Sequence, residues 1–206
     1  EMGRRLLCAP YFSTVVLAAN TLLHAGDDEA KAALLPGIAS GETKATLAFT
    51  EENGRWDESG IELTASPAGD GWTLSGTKMF VLDGHTADLI LVAARTDAGV
   101  SLFHLAGDAA GLTRTALSTM DQTRKQAKLE FANTPATLLG AEGEGVDVAD
   151  HLGDRERGDE ADRARLGGGA GGECLQARTV LAETIAHIER CEGGELAEPL
   201  TDTFDL

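Results

Sequence analysis

The first forty residues space their apolar side chains in the way that is typical of helices. In YFSTVVLAANTLLHAG the apolar positions share one face of a helix with about 3.6 residues per turn. These positions are Val15, Val16, Ala19, Leu22 and Leu23. Gly26 is then expected to end the helix, with Asp27 and Asp28 beginning a second one, DDEAKAALLPGIAS, that should end near Pro36. The pattern predicts a helical hairpin over residues 11–39.

From Lys44 onward the alternation of apolar and polar residues becomes that of β-strands. Short β-rich runs are separated by Gly, Asp and Pro at the intervals of an antiparallel sandwich or barrel. The runs are TLAFTE, GIELTASPAGDGWTLSGTKMFVL, ADLILVAART, GVSLFHLAG, GLTRTAL and AKLEFANTPATLL. Within AGDGW, Asp70 and Gly71 suit a tight two-residue hairpin turn. We therefore expect an all-β domain over residues 44–140.

After Gly145 neither period continues. The stretch HLGDRERGDEADRARLGGGAGGECL alternates charges and glycines without an apolar stripe, which indicates a flexible linker. Helical spacing returns in QARTVLAETIAHIERCEGGE and predicts a final helix. The expected fold class is therefore α+β. It consists of a helical segment, an antiparallel β-sandwich or barrel, a flexible linker and a C-terminal helix.

Composition and charge narrow the partners and the compartment. The 206 residues, 42% of them hydrophobic, suffice for a sizeable core, and the net charge of −17 opposes binding to nucleic acid or to an anionic membrane surface. No apolar run approaches the roughly 20 residues that span a bilayer. Three widely spaced cysteines favour a reducing compartment, so we expect a cytoplasmic protein. The start at Glu1, within an element already under way, suggests a piece of a longer protein.

Few side chains have the spacing of a catalytic or metal site. The histidines and cysteines are too dispersed to ligate a metal, and neither a nucleotide-binding glycine motif nor GxSxG occurs. Glu51 and Glu52 are neighbours on a strand, so we expect one buried polar contact and one solvated group. Thr50 follows a predicted strand, where its hydroxyl suits either an ordinary strand position or a planar heteroaromatic ligand.

The order of these segments resembles the acyl-CoA dehydrogenase family. The likeness runs through LAFTEENGRWDESGIELTASPAGDGWTLSGTKMFVLDGHTADLILVAART, then GVSLFHLAG, then GLTRTALSTMDQTRKQAKLEFANTPATLLGAEGEG. It implies that residues 1–43 end an N-terminal helical domain, that residues 44–145 form the middle β-domain, and that residues 146–206 are a divergent or truncated C-terminal segment. The family's catalytic glutamate lies in a C-terminal helical domain that is not recognisable here, so no catalytic residue is assigned.

The resemblance implies an FAD site built from two strands. In the family, a strand ending in Thr-Glu lies along the pyrimidine side of the FAD ring. A second strand, Lys-x-Trp/Phe-Ile-Thr, packs its aromatic residue near the ring and offers a threonine hydroxyl to flavin N5. The corresponding residues here are Phe49, Thr50 and Glu51 in the first strand and Phe80, Val81 and Leu82 in the second. Leu82 lacks the hydroxyl, a net loss of about 1 kcal/mol.

The turn after Thr-Glu departs from the family's Pro-x-Ala-Gly-Ser-Asp. Trp56 stands where the serine is expected, near the FAD pyrophosphate and the thioester substrate. Its ring either fills part of the pocket or stacks on an extended ligand. Arg55 could restore affinity for phosphate through a charge-assisted contact. We assign both residues to the binding of an acyl-CoA substrate.

The implied activity is α,β-desaturation of an acyl-CoA thioester with hydride transfer to FAD, in a homo- or hetero-oligomer of acyl-CoA dehydrogenase subunits. The changes at Trp56 and Leu82 leave two alternatives open. One is a non-catalytic partner subunit, and the other is a flavin-free β-domain with a binding or structural role. The glycines of 167–172 also allow an out-of-frame reading of an alanine-rich helix, which the gene's nucleotide sequence would decide.

Overall fold

A computed structural model describes residues 4, 8–55, 57–69 and 71–145 of the chain. These residues form a helical segment followed by a sheet that closes on itself. The linker and the helix expected within residues 146–206 lie outside the described residues. So do Trp56 and Asp70.

The helical hairpin is present, and its second helix is longer than expected. The first helix, α1, joins a π-helix, Phe12–Ala19, to an α-helix, Asn20–Ala25, and the second, α2, spans Asp28–Ser40. Between them, the side chain of Asp27 accepts a 2.7 Å hydrogen bond from the backbone N–H of Ala30 and caps α2.

The expectation that α2 ends near Pro36 is wrong. The helix continues to Ser40, and Gly41, with a φ of 79°, ends it in the left-handed conformation. An internal proline removes a backbone donor and crowds the preceding turn. Leu35 and Ile38 flank it and are buried, and their packing against the sheet stabilises the last turn.

Seven strands follow in the described part of the chain, with one 3₁₀ turn, Glu58–Gly60, between the first two. The strands are β1 (Ala45–Ala48), β2 (Thr64–Ala68), β3 (Gly71–Leu82), β4 (Leu89–Thr96), β5 (Gly99–Ala106), β6 (Leu112–Ala116) and β7 (Gln126–Leu139). Pairing runs β4–β2–β3–β7–β5 and returns to β4, which closes a barrel. β6 adds to β7 outside this ring.

The sheet is mixed, whereas an antiparallel sheet was expected. β1 pairs with β4 in parallel over Ala45–Ala48, and β2 meets β4 in parallel at the pair Thr64–Arg95. β1 and β2 thus follow one edge of β4 in the same direction, and the chain between them forms a loop. Alternation of side chains does not distinguish the two pairing directions, because both have a period of two residues.

The tight hairpin lies between β2 and β3, one residue earlier than expected. Ala68 pairs with Gly71, which is already the first residue of β3. Gly69 carries the positive φ of the turn, 60°. Gly71, expected within the turn, therefore belongs to β3, and Gly69 lies in the turn instead.

β4 contributes to two apolar cores. Leu89, Leu91 and Ala93 pack in a core shared with α1 and α2. Ile90, Val92 and Ala94 pack in the core that fills the barrel, with residues from β2, β3, β5 and β7. Burial on both faces explains the continuous apolar run LILVAA.

No helix among the described residues combines the length and the apolar composition needed to cross a membrane.

Candidate functional site

The segment that follows β1 lies beside the middle of β3. The backbone N–H of Met79 donates a 2.8 Å hydrogen bond to the carbonyl oxygen of Thr50. One residue away on each strand, Nζ of Lys78 donates to the carbonyl oxygen of Phe49 at 2.9 Å. The structure therefore brings together the two segments that the sequence proposed as an FAD site.

Phe80 projects from a bulge in β3. Between Lys78 and Val81, β3 has one residue more than the facing part of β7. Phe80 occupies this bulge with a φ of 59°, and 47% of the residue is exposed. A left-handed aromatic residue costs on the order of 1–3 kcal/mol, and bulges are a common means of re-aiming a side chain beside a binding site. The strain and the exposure both mark Phe80 as a candidate ligand contact.

Thr50 presents a half-buried side chain on the neighbouring segment. Its carbonyl is occupied by Met79, while its hydroxyl has no hydrogen-bond partner in the part of the chain that the structure describes. A hydroxyl can both donate and accept, so Thr50 can serve a polar edge of a ligand.

The side chains of Val81 and Leu82 are less available for contact with a ligand than that of Phe80. Val81 is 3% exposed, and its side chain belongs to the barrel core, so only its backbone could reach a ligand. Leu82 is half-buried, and its carbonyl oxygen accepts a 2.6 Å hydrogen bond from the hydroxyl of Thr46. Neither side chain offers a polar group.

Glu51 forms a buried ion pair with Lys78. Lys78 Nζ lies 2.7 Å from Glu51 Oε1, and the two side chains are 0% and 7% exposed. The carboxylate also accepts the backbone N–H groups of Glu62 and Leu63, each at 3.0 Å. Burial lowers the pKa of Lys78 to about 8, against the opposing effect of the Glu51 hydrogen bond. All of these Glu51 contacts lie inside the protein.

The sequence analysis predicts Glu51 as an FAD contact and gives no role to Lys78. Glu52 is exposed, as expected for one member of the adjacent pair, and Glu51 is the buried member. The signal for Lys78 was available, because Leu74 and Lys78 fall on the same face of a strand whose apolar positions are buried. A lysine at such a position requires a partner.

Arg55 lies in the loop between β1 and β2. Its Nη1 donates to Ser59 Oγ at 2.9 Å, and its backbone N–H donates to Asn53 Oδ1 at 2.9 Å. Asp57 also accepts from Ser59, whose hydroxyl and backbone N–H lower the pKa of that carboxyl. These hydrogen bonds of Arg55 stay within the loop. Trp56, the other proposed substrate contact, lies outside the described residues.

A cavity of about 270 Å³ lies at the base of this loop. Its lining consists of Glu51, Glu52, Asn53, Glu62, Leu63, Gly76 and Thr77. Three carboxyl side chains make it unfavourable for a phosphate or another anion. It adjoins the FAD candidate site at Glu51, but neither Thr50 nor Phe80 lines it. The described residues contain no cluster of three side chains that could hold a metal ion.

The comparison with known families identifies the β-domain. Residues 46–134 match the family described as acyl-CoA dehydrogenase, middle domain. The acyl-CoA dehydrogenase FadE27 of Mycobacterium tuberculosis is 36% identical over 118 residues, which are 57% of this chain and 30% of that protein. The chain spans roughly a third of the length of the curated relatives FadE27 and the acyl-CoA dehydrogenases of Bacillus subtilis and Megasphaera elsdenii.

Solved structures of this type share the fold. An acyl-CoA dehydrogenase from Bacillus anthracis, complexed with FAD, has 26% identity and a TM-score of 0.61, covering 65% of this chain and 24% of that one. The ChsE4–ChsE5 complex of Mycobacterium tuberculosis has 26% identity and a TM-score of 0.63, covering 93% of this chain and 58% of that one. Residues 46–134 therefore have the sequence and the fold of the middle domain of the acyl-CoA dehydrogenase family.

Proposed function

We propose that residues 49–51 and 80–82 form the flavin-contacting edge of an acyl-CoA dehydrogenase that desaturates an acyl-CoA thioester between its α and β carbons. The observation that carries this proposal is the exposed Phe80, held in a strained bulge next to the segment of Thr50. A solvent-facing aromatic residue in such a conformation has a ligand as its simplest explanation.

The residues present fit FAD. Phe80 offers an aromatic surface, and Thr50 offers a hydroxyl without a protein partner among the described residues. A flavin ring has an apolar face and a polar pyrimidine edge, so it needs both kinds of contact. FAD, when bound, would accept the hydride that leaves the β-carbon of the acyl group. Thr50 would orient the ring, and Phe80 would exclude water from one side of it.

The relatives support FAD and an acyl-CoA substrate. FadE27 is named an acyl-CoA dehydrogenase, and the Bacillus anthracis enzyme was solved with FAD. The exposed guanidinium of Arg55 donates to the neutral Ser59 hydroxyl, and its charge also helps to lower the pKa of Asp57. It is a candidate contact for a phosphate of coenzyme A. We assign this role to Arg55 as part of the proposal.

A flavin titration tests the proposal. FAD should bind to the purified chain and give an absorbance band near 450 nm that is shifted from that of free FAD, as expected when a protein holds the ring. The titration should be repeated with a complete acyl-CoA dehydrogenase subunit co-expressed, because the proposed oligomer would complete the site. Absence of binding in both preparations would contradict the proposed function.

A second candidate function is that of a partner subunit which completes a site without catalysing the reaction itself. Leu82 favours it, since a leucine stands where the family has a hydroxyl and its carbonyl is already occupied by Thr46. The solved ChsE4–ChsE5 complex supports an assembly of different chains as one option. Flavin reduction by acyl-CoA that requires the co-expressed subunit, and remains unchanged when Leu82→Thr is introduced, would favour the partner role.

A further inference from the structure

The Glu51–Lys78 ion pair is buried and joins the two segments of the site described above. Nζ of Lys78 bonds both the carbonyl of Phe49, at 2.9 Å, and the carboxylate of Glu51, at 2.7 Å. These two acceptors flank Thr50 in the sequence. Lys78 itself lies two residues before Phe80. One ammonium group therefore connects the segment that carries the free hydroxyl to the strand that carries the exposed ring.

The carboxylate of Glu51 extends the same connection to β2. It accepts the N–H groups of Glu62 and Leu63 at 3.0 Å, immediately before β2 begins. Both ends of the loop between β1 and β2 are thereby fixed at one point. With Arg95 donating to the carbonyl oxygens of Ile61 and Glu58, at 3.0 and 2.8 Å, the loop has a fixed base on β4 as well.

Stability alone does not account for the pair. Removing two charges from water costs several kcal/mol per ion, and apolar residues of similar volume often stabilise a core as well or better. Counted over the whole residue, Lys78 is 0% exposed and Glu51 is 5% exposed, so this desolvation cost applies in full. Apolar contacts are not directional, so an apolar pair could not hold the Phe49–Glu51 backbone in one position against β3. Hydrogen bonds to specific acceptors can do so.

We propose that the Glu51–Lys78 ion pair is a positioning element of the FAD site, which sets the placement of Thr50 relative to Phe80. This inference rests on the proposed function, because placement matters only if both residues contact the same ring. Lys78 and the side chain of Glu51 are positioning groups here, and the proposed contact of Glu51 with the cofactor is made through its backbone.

Two single variants and their combination separate positioning from stability. Lys78→Met and Glu51→Gln each leave one buried group without its partner, so both should lose stability and FAD affinity. The combination Glu51→Gln/Lys78→Met removes the buried charges, while the Gln carbonyl oxygen can still accept from Glu62 and Leu63. It should recover most of the stability. Lys44→Met is the matched control, because Lys44 pairs with Asp88 at 2.6 Å on the surface, with both side chains about half exposed.

Two measurements are made on the full chain. The first is hydrogen exchange of the Met79 amide without FAD, since its N–H donates to the carbonyl of Thr50. We expect its protection to fall on the order of tenfold in the double variant and to stay unchanged in Lys44→Met. The second is the dissociation constant of FAD by titration, under the conditions where the wild-type chain binds. We expect it to rise on the order of tenfold in the double variant despite its recovered stability.

The outcomes distinguish the two proposals. A double variant with wild-type protection at Met79, or with wild-type FAD affinity, would overturn the positioning role, and the pair would then be structural only. A wild-type chain that binds no FAD, alone or co-expressed, would contradict the proposed function and the role of the pair in it. The exchange measurement would still show whether the pair holds the two segments together.

Discussion

The hydroxyl of Ser13 donates a 2.7 Å hydrogen bond to Oδ2 of Asp83, and this contact joins the start of α1 to the residue that follows β3. Ser13 is fully buried, and Asp83 has a φ of 54°. The bond therefore holds the end of the bulged strand, three residues beyond Phe80, against the helical segment. It links the two parts of the fold at the edge of the candidate site.

Ser13→Ala should lower the free energy of unfolding by about 1–2 kcal/mol, because a carboxylate loses a charge-assisted hydrogen bond at a buried position. Urea denaturation measures the change. Ser40→Ala is the control, since the Ser40 hydroxyl is exposed and its hydrogen bonds are local: it donates to the carbonyl oxygen of Gly37 and accepts from the backbone N–H of Glu42. Equal effects of the two substitutions would mean that the contact between Ser13 and Asp83 adds no stability.

Phe80→Asn should separate binding from stability. Asparagine adopts the left-handed conformation more readily than phenylalanine, so relief of strain should offset the lost packing of a side chain that is already 47% exposed. We expect the free energy of unfolding to change by less than about 1 kcal/mol and FAD affinity to fall clearly.

The comparison for this variant is Phe103→Ala in the barrel core. Phe103 is 0% exposed, so its truncation should cost about 3–5 kcal/mol. Thermal or urea unfolding and a flavin titration measure both quantities in each variant. A Phe80→Asn variant that keeps wild-type FAD affinity would contradict the assignment of Phe80 as a ring contact.

The β-domain was predictable from alternation and turn residues, with a barrel as one of its two expected forms, but the directions of strand pairing were not. Every predicted β-run overlaps a strand of the structure, whereas the parallel pairing of β1 and β2 with β4 leaves no mark in side-chain periodicity. Local propensity at Pro36 predicts a helix end, because it does not include the packing of Leu35 and Ile38 that carries the helix on to Ser40. In both cases the missing information is tertiary.

The family resemblance supplied the positions of the candidate site, and the hydrogen bond between Met79 and Thr50 places the two segments side by side. Their contacts with FAD stay a prediction. The sequence did not reveal that Phe80 is strained or that Glu51 faces Lys78, because neither a bulge nor an ion-pair partner is encoded by spacing along one strand. The role of Trp56 also stays a prediction.

Asp27 has two separable effects, because its charge raises the pKa of His104 and its side chain caps α2. Burial lowers the pKa of His104, and the negative charge of Asp27 partly opposes this shift. Asp27→Asn should keep the cap of α2, since asparagine caps as well as aspartate, and should lower the pKa of His104 further. Asp27→Ala should lower that pKa and also cost about 1 kcal/mol of stability. NMR titration of the His104 ring and urea denaturation measure the two effects, and an unchanged His104 pKa in both variants would refute the coupling.

Lys78 should give the protein an unusual alkaline stability profile. Its pKa is about 8 in the folded protein, against about 10.4 for an unfolded lysine. Between these values the unfolded chain binds more protons than the folded one, so the free energy of unfolding should rise with pH, by roughly 3 kcal/mol across the window. Below pH 8 both states are protonated, and this contribution is flat.

Urea denaturation at a series of pH values from 7 to about 10 checks the profile. Lys78→Met should abolish the rise, whereas Lys44→Met should retain it. A wild-type protein whose stability falls steadily across this window, in parallel with Lys78→Met, would show that the ammonium of Lys78 is not destabilised by its burial.

The burial of β4 on both of its faces determines how the protein should unfold. Successive residues of β4 are buried on opposite faces of the sheet. Leu91 packs against the helices and Val92 packs inside the barrel, and both are fully buried. Detaching the helical hairpin would expose one whole face of the strand that also pairs with β1, β2 and β5. The helical hairpin and the barrel should therefore unfold as one cooperative unit, although the sequence predicts a domain boundary near residue 44.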